Sequence, residues 1–151
     1  MRMILKSLAR NESSPIGYDT IVKDIAEYES SDDLIESRKT IADYISALDA
    51  LYLTANQEAY SINYRSSKRI GKSAKRHLVD PSLSCALLDL SVDKLMHDFN
   101  TFGLMFEALV ERDLRIYMDY LDGHLYHFRD NASGDEVDAI LEFKDGEYAA
   151  I

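Results

Sequence analysis

Residues 102–120 read FGLMFEALVERDLRIYMDY, the longest amphipathic stretch of the second half of the chain. Apolar residues recur in it at three- and four-residue spacing, which predicts a long amphipathic helix. The helix carries one acid, Glu107, in its first half. The residues expected to line its core face are Met105, Phe106, Leu109, Val110, Leu114 and Tyr117.

A strand is predicted further along the chain, where residues 136–143 read EVDAILEF. This strand carries Asp138. The pair Asp145-Gly146 predicts a two-residue hairpin turn into a last strand, Glu147–Ile151. Because an open strand edge recruits other chains, we expect the protein to form a homo-oligomer through this edge.

Glu107 and Asp138 are the candidate catalytic and metal-binding residues. Carboxylate oxygens suit Mg²⁺, and an ion held between a helix acid and a strand acid can generate the hydroxide that hydrolyses a phosphodiester. The alternative is that both acids are simply solvated. Two carboxylates should hold Mg²⁺ only weakly, and no strongly bound cofactor is expected. The nearby lysine, Lys144, is expected to lie too far from Asp138 to assist, so residues 1–151 should not cleave DNA with Mg²⁺ or Mn²⁺.

The first half of the chain predicts three helices followed by a β-element, which is the layout of a winged helix. The helices are expected at about residues 3–9, 17–27 and 37–54, and the strand-like segment at 59–64. A short buried strand at 77–79 should follow, then short helices at 82–90 and 92–99, and a strand at 124–129.

Basic residues are concentrated between Arg65 and Arg76, a stretch without acids. Such a run can lie along phosphates and release counterions. Arg38 and Lys39, at the start of the third predicted helix, lie where a recognition helix meets base edges. The alternative is a solvated face, or a surface that meets an acidic neighbouring domain. The candidate nucleic-acid-binding residues are Arg38, Lys39, Arg65, Lys68, Arg69, Lys72, Lys75 and Arg76.

Length and composition favour one ordinary cytoplasmic domain or two small ones that share a core. The chain has 151 residues, a net charge of −10 and a single cysteine, Cys85, which excludes an internal disulfide. No apolar run approaches the ~20 residues that span a bilayer, so no membrane partner is expected. Gly71-Lys72-Ser73 resembles the end of a phosphate-binding loop, but Ser66 occupies the position where that motif needs glycine. ATP binding by this chain is therefore not expected.

At Gly103–Leu114 and Gly134–Leu141 the sequence resembles the family called domain of unknown function 4143, which follows an AAA-type ATPase core in many bacterial and archaeal proteins. The resemblance covers nearly the whole chain. Further motifs that carry it are Ser7–Arg10, Tyr44–Leu48, Lys75–Asp80, Phe106-Glu107 with Val110, and Glu136–Asp138. It implies a winged helix followed by a restriction-endonuclease-like core of the PD-(D/E)XK type, with Glu107 as the helix acid and Asp138 as the strand acid. The Glu-x-Lys of that family would come directly after Ile151.

The expected fold is therefore α+β, with a winged-helix-like segment at 1–80 and a truncated restriction-endonuclease-like segment at 81–151. With neither an ATPase core nor the Glu-x-Lys, the chain resembles a carboxy-terminal fragment that is not catalytic as it stands. The leading predicted function is nucleic-acid binding, with DNA and an ATPase core as partners. One alternative is a metal-dependent nuclease whose site needs residues beyond 151. Another is a non-catalytic module that docks on the ATPase core.

Overall fold

The computed structural model describes residues 1–29, 38–61, 73–130 and 133–151, which form six helices and a six-stranded sheet. The helices are α1 (Arg2–Arg10), α2 (Tyr18–Glu29), α3 (Arg38–Ala50), α4 (Pro81–Leu87), α5 (Val92–His97) and α6 (Phe99–Tyr120). The strands are β1 (Ser14–Pro15), β2 (Thr54–Ala59), β3 (Lys75–Leu78), β4 (His124–Arg129), β5 (Glu136–Glu142) and β6 (Tyr148–Ala150). The predicted α+β class is confirmed.

The strands lie in the order β1-β3-β2-β4-β5-β6. β2 and β4 run parallel, and the other neighbouring pairs run antiparallel. Helices α4, α5 and α6 make the connection from β3 to β4. The predicted division at 80/81 therefore falls between strands of one sheet, with β1–β3 before it and β4–β6 after it.

An apolar core joins α1, α2 and α3 to β3. Ile41, Ile45 and Leu48 of α3 are buried at the predicted helical spacing. Leu51 and Tyr52, inside the predicted helix range 37–54, are exposed because α3 ends at Ala50 and Tyr52 takes a left-handed φ of 56°. The buried cluster consists of Ile4, Leu8, Ala9, Ile16, Ile21, Ile25, Ile41, Ile45, Leu48 and Leu78.

The buried face of α6 is rotated from the predicted one. Phe106 is 56% exposed and Tyr117 is 61% exposed, so the prediction that they line the core is wrong. The true buried face includes a charged residue, Glu111, which can be buried because Arg115 pairs with its carboxylate. A hydrophobic pattern cannot reveal a face of this kind. The buried residues of α6 are Met105, Ala108, Glu111 and Met118.

Two local predictions shift in the structure. The strand predicted at 59–64 shares only Ala59 with β2, which begins at Thr54 inside the predicted third helix, and residues 62–64 lie outside the described residues. The hairpin between β5 and β6 has three loop residues, since the Phe143 amide donates to the Glu147 carbonyl at 2.8 Å. Gly146 has a φ of 87°, the left-handed conformation that a three-residue hairpin loop needs at its last position.

Candidate acid–lysine site

Glu107 and Asp138, the two predicted acids, meet at one buried lysine. Lys75 of β3 donates from Nζ to Glu107 Oε1 and to Asp138 Oδ1, each at 2.8 Å. Glu136 Oε1 lies 3.7 Å from the same nitrogen. The Lys75 side chain is 2% exposed, whereas that of Asp138 is 58% exposed. We call Lys75, Glu107, Glu136 and Asp138 the acid–lysine cluster. The structure thus brings the predicted acids together around a residue that was predicted to bind nucleic acid.

The strands and α6 position this cluster from three directions. Glu107 comes from α6, Glu136 and Asp138 from β5, and Lys75 from β3. On a strand, alternate residues share a face, and Asp138 and Glu136 are two residues apart. The flexible four-carbon stem of Lys75 lets its ammonium reach the acids of β5 and α6.

Gln57 supports the cluster from β2. It is the cross-strand partner of Lys75 and is 1% exposed. Its Nε2 donates to the carbonyls of Tyr126 at 3.0 Å and Asp138 at 2.8 Å. The β4–β5 register shifts between Tyr126 and Phe128, which leaves these carbonyls open to a side-chain donor.

Charge and burial act against each other in this cluster. Burial lowers the pKa of Lys75, but the hydrogen bonds to Asp138 and Glu107 outweigh it and hold that pKa above the ordinary value of 10.5. Burial raises the pKa of Glu107, and Lys75 only partly opposes this effect. The lysine therefore stays an ammonium, and it balances one of the three surrounding carboxylates.

A second buried polar group adjoins β3. Glu12 is fully buried and accepts from the Leu78 amide at 3.2 Å and from the Ser84 hydroxyl. His77 Nδ1 lies 3.3 Å from Glu12 Oε1. These contacts join the segment before β1, the end of β3 and helix α4.

The candidate nucleic-acid-binding residues that the structure describes differ in their exposure. Lys75 is buried in the cluster, so it is not available to a phosphate backbone on the surface, which corrects that assignment. Arg76 is half-buried; it donates to Ile16 and Asn56 and lies 5.1 Å from the centre of the Tyr18 ring. Arg38 and Lys39 are exposed at the start of α3. The remaining candidates, Arg65, Lys68, Arg69 and Lys72, lie outside the described residues.

The sequence prediction missed the lysine of this site. Lys144 is exposed, and its Nζ lies 3.5 Å from Asp122 Oδ2 rather than beside the acid pair. Lys144 thus lies away from Asp138, as expected, and the lysine beside the acids is Lys75, which comes from a strand 63 residues before Asp138. The available signal was the alternation of Lys75, Arg76 and His77, in which the first and third residues share a strand face.

Few side chains in the described ranges are placed to bind a metal ion. In the described ranges no group of three or more histidine, cysteine, aspartate or glutamate side chains is arranged to hold a metal ion. The described helices also include none that is long and apolar enough to cross a bilayer. Glu107 and Asp138 are the two carboxylates that could hold a divalent ion together, with Lys75 now between them.

Comparison with known proteins gives one match. The family model described as "Domain of unknown function (DUF8612)" matches residues 1–94, a range that includes Lys75 and ends before Glu107. No curated protein and no solved structure matches. The matched family differs in name from the one that the motifs resemble, and nothing in these comparisons links the chain to AAA-type ATPases. Since the match covers more than half of the chain, the protein belongs to the family described as Domain of unknown function (DUF8612).

Proposed function

We propose that the chain is a nucleic-acid-binding domain built around a nuclease-type acid pair, and that residues 1–151 do not themselves cleave. The observation that carries this proposal is the convergence of Glu107 and Asp138, on a helix and a strand, at one lysine. A helix acid, a strand acid and a lysine are the groups that the resemblance to a PD-(D/E)XK core implies, and a metal held by such acids can generate the hydroxide for phosphodiester hydrolysis. The cluster supplies these groups without the third ligand that would hold Mg²⁺ firmly.

Charge explains how such a pair could contact nucleic acid. Three carboxylates around one ammonium leave the cluster negative, so it repels a phosphate on its own. A divalent ion bound by Glu107 and Asp138 would offset two of these negative charges and could bridge to a phosphate oxygen. The ion would supply Lewis-acid chemistry, while the protein residues fix its position.

Basic residues outside the cluster would supply the sequence-independent part of the affinity. Arg38 is 68% exposed at the start of α3, and its contact with Asp19 is a long 3.7 Å. The order of α1, α2 and α3 followed by the antiparallel β2 and β3 supports a winged-helix interpretation of the first segment. In such a domain the third helix enters the major groove.

A charge-reversal experiment tests the proposal at the basic run between Arg65 and Arg76. The triple variant Lys68→Glu/Arg69→Glu/Lys72→Glu replaces three positive charges by three negative ones. It should lose most of its affinity for a DNA duplex at low salt, because each lost cation removes a phosphate contact and the counterion release that accompanies it. Fluorescence anisotropy with a labelled duplex measures the loss. Unchanged binding would refute the basic run as the binding surface.

The matched control for that variant is Lys23→Glu/Lys94→Glu/Lys144→Glu. It changes the net charge by the same amount at exposed positions elsewhere on the chain. The control should keep most of its affinity, because these lysines lie outside the proposed binding surface. Equal losses of affinity in the two variants would show that binding depends on the net charge of the chain and not on the basic run.

The second candidate function is an interaction module, and the apolar surface of α5 and α6 favours it. Phe102 and Phe106 stack with ring centroids 6.4 Å apart on this surface, and both are exposed. An apolar stripe of this size is unusual on a surface that meets only water. The exposed members are Val92, Met96, Phe99, Phe102, Phe106, Leu109, Ile116, Tyr117 and Tyr120.

An AAA-type ATPase core is the partner that the sequence resemblance suggests for this surface. Gel filtration of the chain mixed with such a core from the same source should give a complex that Phe102→Ser/Phe106→Ser abolishes. The control pair Leu51→Ser/Tyr52→Ser removes exposed apolar groups after α3 and should leave the complex intact. If neither variant affects a complex that forms, the α6 surface is not the docking site.

A further inference from the structure

We propose that Lys75 occupies the cation position of the acid pair, and that a divalent ion binds there only by displacing its ammonium group. The inference deepens and rests on the proposed function, because it concerns how the same acid pair is regulated. It differs in that it can be tested with a metal ion alone and no nucleic acid.

The distances around Lys75 make the two cations alternatives. Its Nζ lies 2.8 Å from Glu107 Oε1 and 2.8 Å from Asp138 Oδ1, so the ammonium bridges the two acids. Mg²⁺ needs oxygen ligands at about 2.0–2.1 Å, closer than an ammonium allows. The acids must therefore move inward around the metal, into the space that Nζ holds.

Gln57 adds to the neighbourhood of Lys75 an oxygen that the ammonium does not use. Its amide is fixed because Nε2 donates to two carbonyls, one of them that of Asp138. Its other atom, Oε1, is buried and has no hydrogen-bond partner within the part of the chain that the structure describes. Gln57 and Lys75 are cross-strand partners, so this amide lies beside the lysine side chain. The Lys75 ammonium leaves this oxygen unpaired, and a neutral oxygen acceptor is a ligand type that Mg²⁺ and Mn²⁺ take.

Local charge explains why displacement would be unfavourable but feasible. The ammonium is 2% exposed, and moving it out breaks two charge-assisted hydrogen bonds. The incoming ion carries twice the charge and meets the two acids of the pair, while the charge of Glu136, 3.7 Å from Nζ, adds to the attraction. The four-carbon stem of lysine lets the head group leave while the stem stays packed. The chain would then be stable without a metal and would bind one weakly.

Metal titration of a charge-removing variant tests the proposal. Lys75→Met keeps a long, unbranched apolar side chain and removes the competing cation. It should bind Mn²⁺ roughly tenfold or more tightly than the wild type, measured by calorimetry and by the electron paramagnetic resonance of free Mn²⁺. Lys94→Met is the matched control, since it removes one exposed positive charge elsewhere and should leave the affinity unchanged. Adding Asp138→Asn to Lys75→Met should remove the gain.

Equal Mn²⁺ affinity in Lys75→Met and Lys94→Met would overturn the proposal, and so would a gain that survives Asp138→Asn. If Lys75→Met fails to fold, NMR of the wild type tests the proposal instead. The signal to follow is the side-chain ammonium resonance of ¹⁵N-labelled Lys75. Loss or a large shift of this resonance on Mg²⁺ addition supports displacement. A resonance that stays unchanged up to the highest Mg²⁺ concentration at which the chain remains soluble overturns it. Neither measurement contains nucleic acid, so a failure here leaves the DNA-binding proposal standing.

Discussion

Lys75 of β3 donates a 2.8 Å hydrogen bond to Asp138 of β5, although β2 and β4 lie between these strands in the sheet. The contact joins residues 63 positions apart and links the two predicted segments of the chain. The acid pair is therefore not a free pair of surface carboxylates. It is held by a cation that the first segment supplies.

Replacing Lys75 should destabilise the fold through the acids that it leaves behind. Lys75→Met leaves Glu107 and Asp138 close together without a counter-ion, at a cost of about 1–3 kcal/mol in the free energy of unfolding. Adding Glu107→Gln to Lys75→Met should recover part of this loss, because it removes one of the two carboxylates left without a counter-ion. The free-energy changes of substitutions at contacting residues are not additive. Urea unfolding of the wild type, both single variants and the double variant measures the coupling. Strict additivity would mean that the 2.8 Å contact between Lys75 and Glu107 carries no stability.

Glu12 should be among the most sensitive residues for stability. Glu12→Ala leaves the Leu78 amide and the Ser84 hydroxyl buried without their acceptor, which costs about 3 kcal/mol. Glu27→Ala, at a 58% exposed side chain on α2, is the control and should change little. Chemical denaturation of both variants provides the comparison, and equal small effects would show that the buried network does not stabilise the native state.

Asp80 should make stability depend on pH in the acid range. It caps α4 by accepting from the Ser82 amide, and it accepts from Arg112 at 2.6 Å. The bonds from Ser82, assisted by Arg112, hold the pKa of Asp80 below its ordinary value of 3.8. Its stabilising contribution is therefore present above pH 3.8 and is lost as the pH falls through the lower folded-state pKa.

Asp80→Ala tests this dependence. The variant should lose about 1 kcal/mol at neutral pH. Asp80→Asn keeps a capping side chain and should lose less, since asparagine is also a good N-cap. Thermal unfolding across the acid range should bring the wild type and Asp80→Ala together as the pH falls below 3.8. A constant difference between them at every pH would contradict the assignment.

The exposed edge strand β6 should make the chain associate. All three of its residues are exposed, and the far side of β6 has no neighbouring strand among the described strands. Sedimentation velocity should show concentration-dependent dimers that Ala149→Lys suppresses, because a lysine on an edge strand opposes edge pairing. Leu51→Lys is the control at an exposed apolar residue after α3. A strict monomer over a wide concentration range would refute the prediction.

Local patterns predicted the elements better than the site. The spacing in α3 and the alternation at 124–129 correspond to the helix and strand that form. In α3 the spacing reflects one buried face, that of Ile41, Ile45 and Leu48. Periodicity also placed Glu107 and Asp138 on the correct kinds of element. It did not predict Lys75, Gln57 or Glu12 inside, because their burial depends on partners from distant parts of the chain. Hydrophobic patterns record which faces avoid water, and they hold no information on which polar groups will satisfy one another.

The Mg²⁺ dependence of DNA affinity most directly tests whether the acid pair is a metal-dependent nucleic-acid site. Mg²⁺ ordinarily weakens protein–DNA binding, because it competes with lysine and arginine for phosphates. An ion bridging Glu107, Asp138 and a phosphate has the opposite effect. Fluorescence anisotropy with an uncut duplex should show that added Mg²⁺ strengthens binding by the wild type and weakens binding by Glu107→Gln/Asp138→Asn. A parallel weakening in both proteins would contradict a metal-bridged contact at this site.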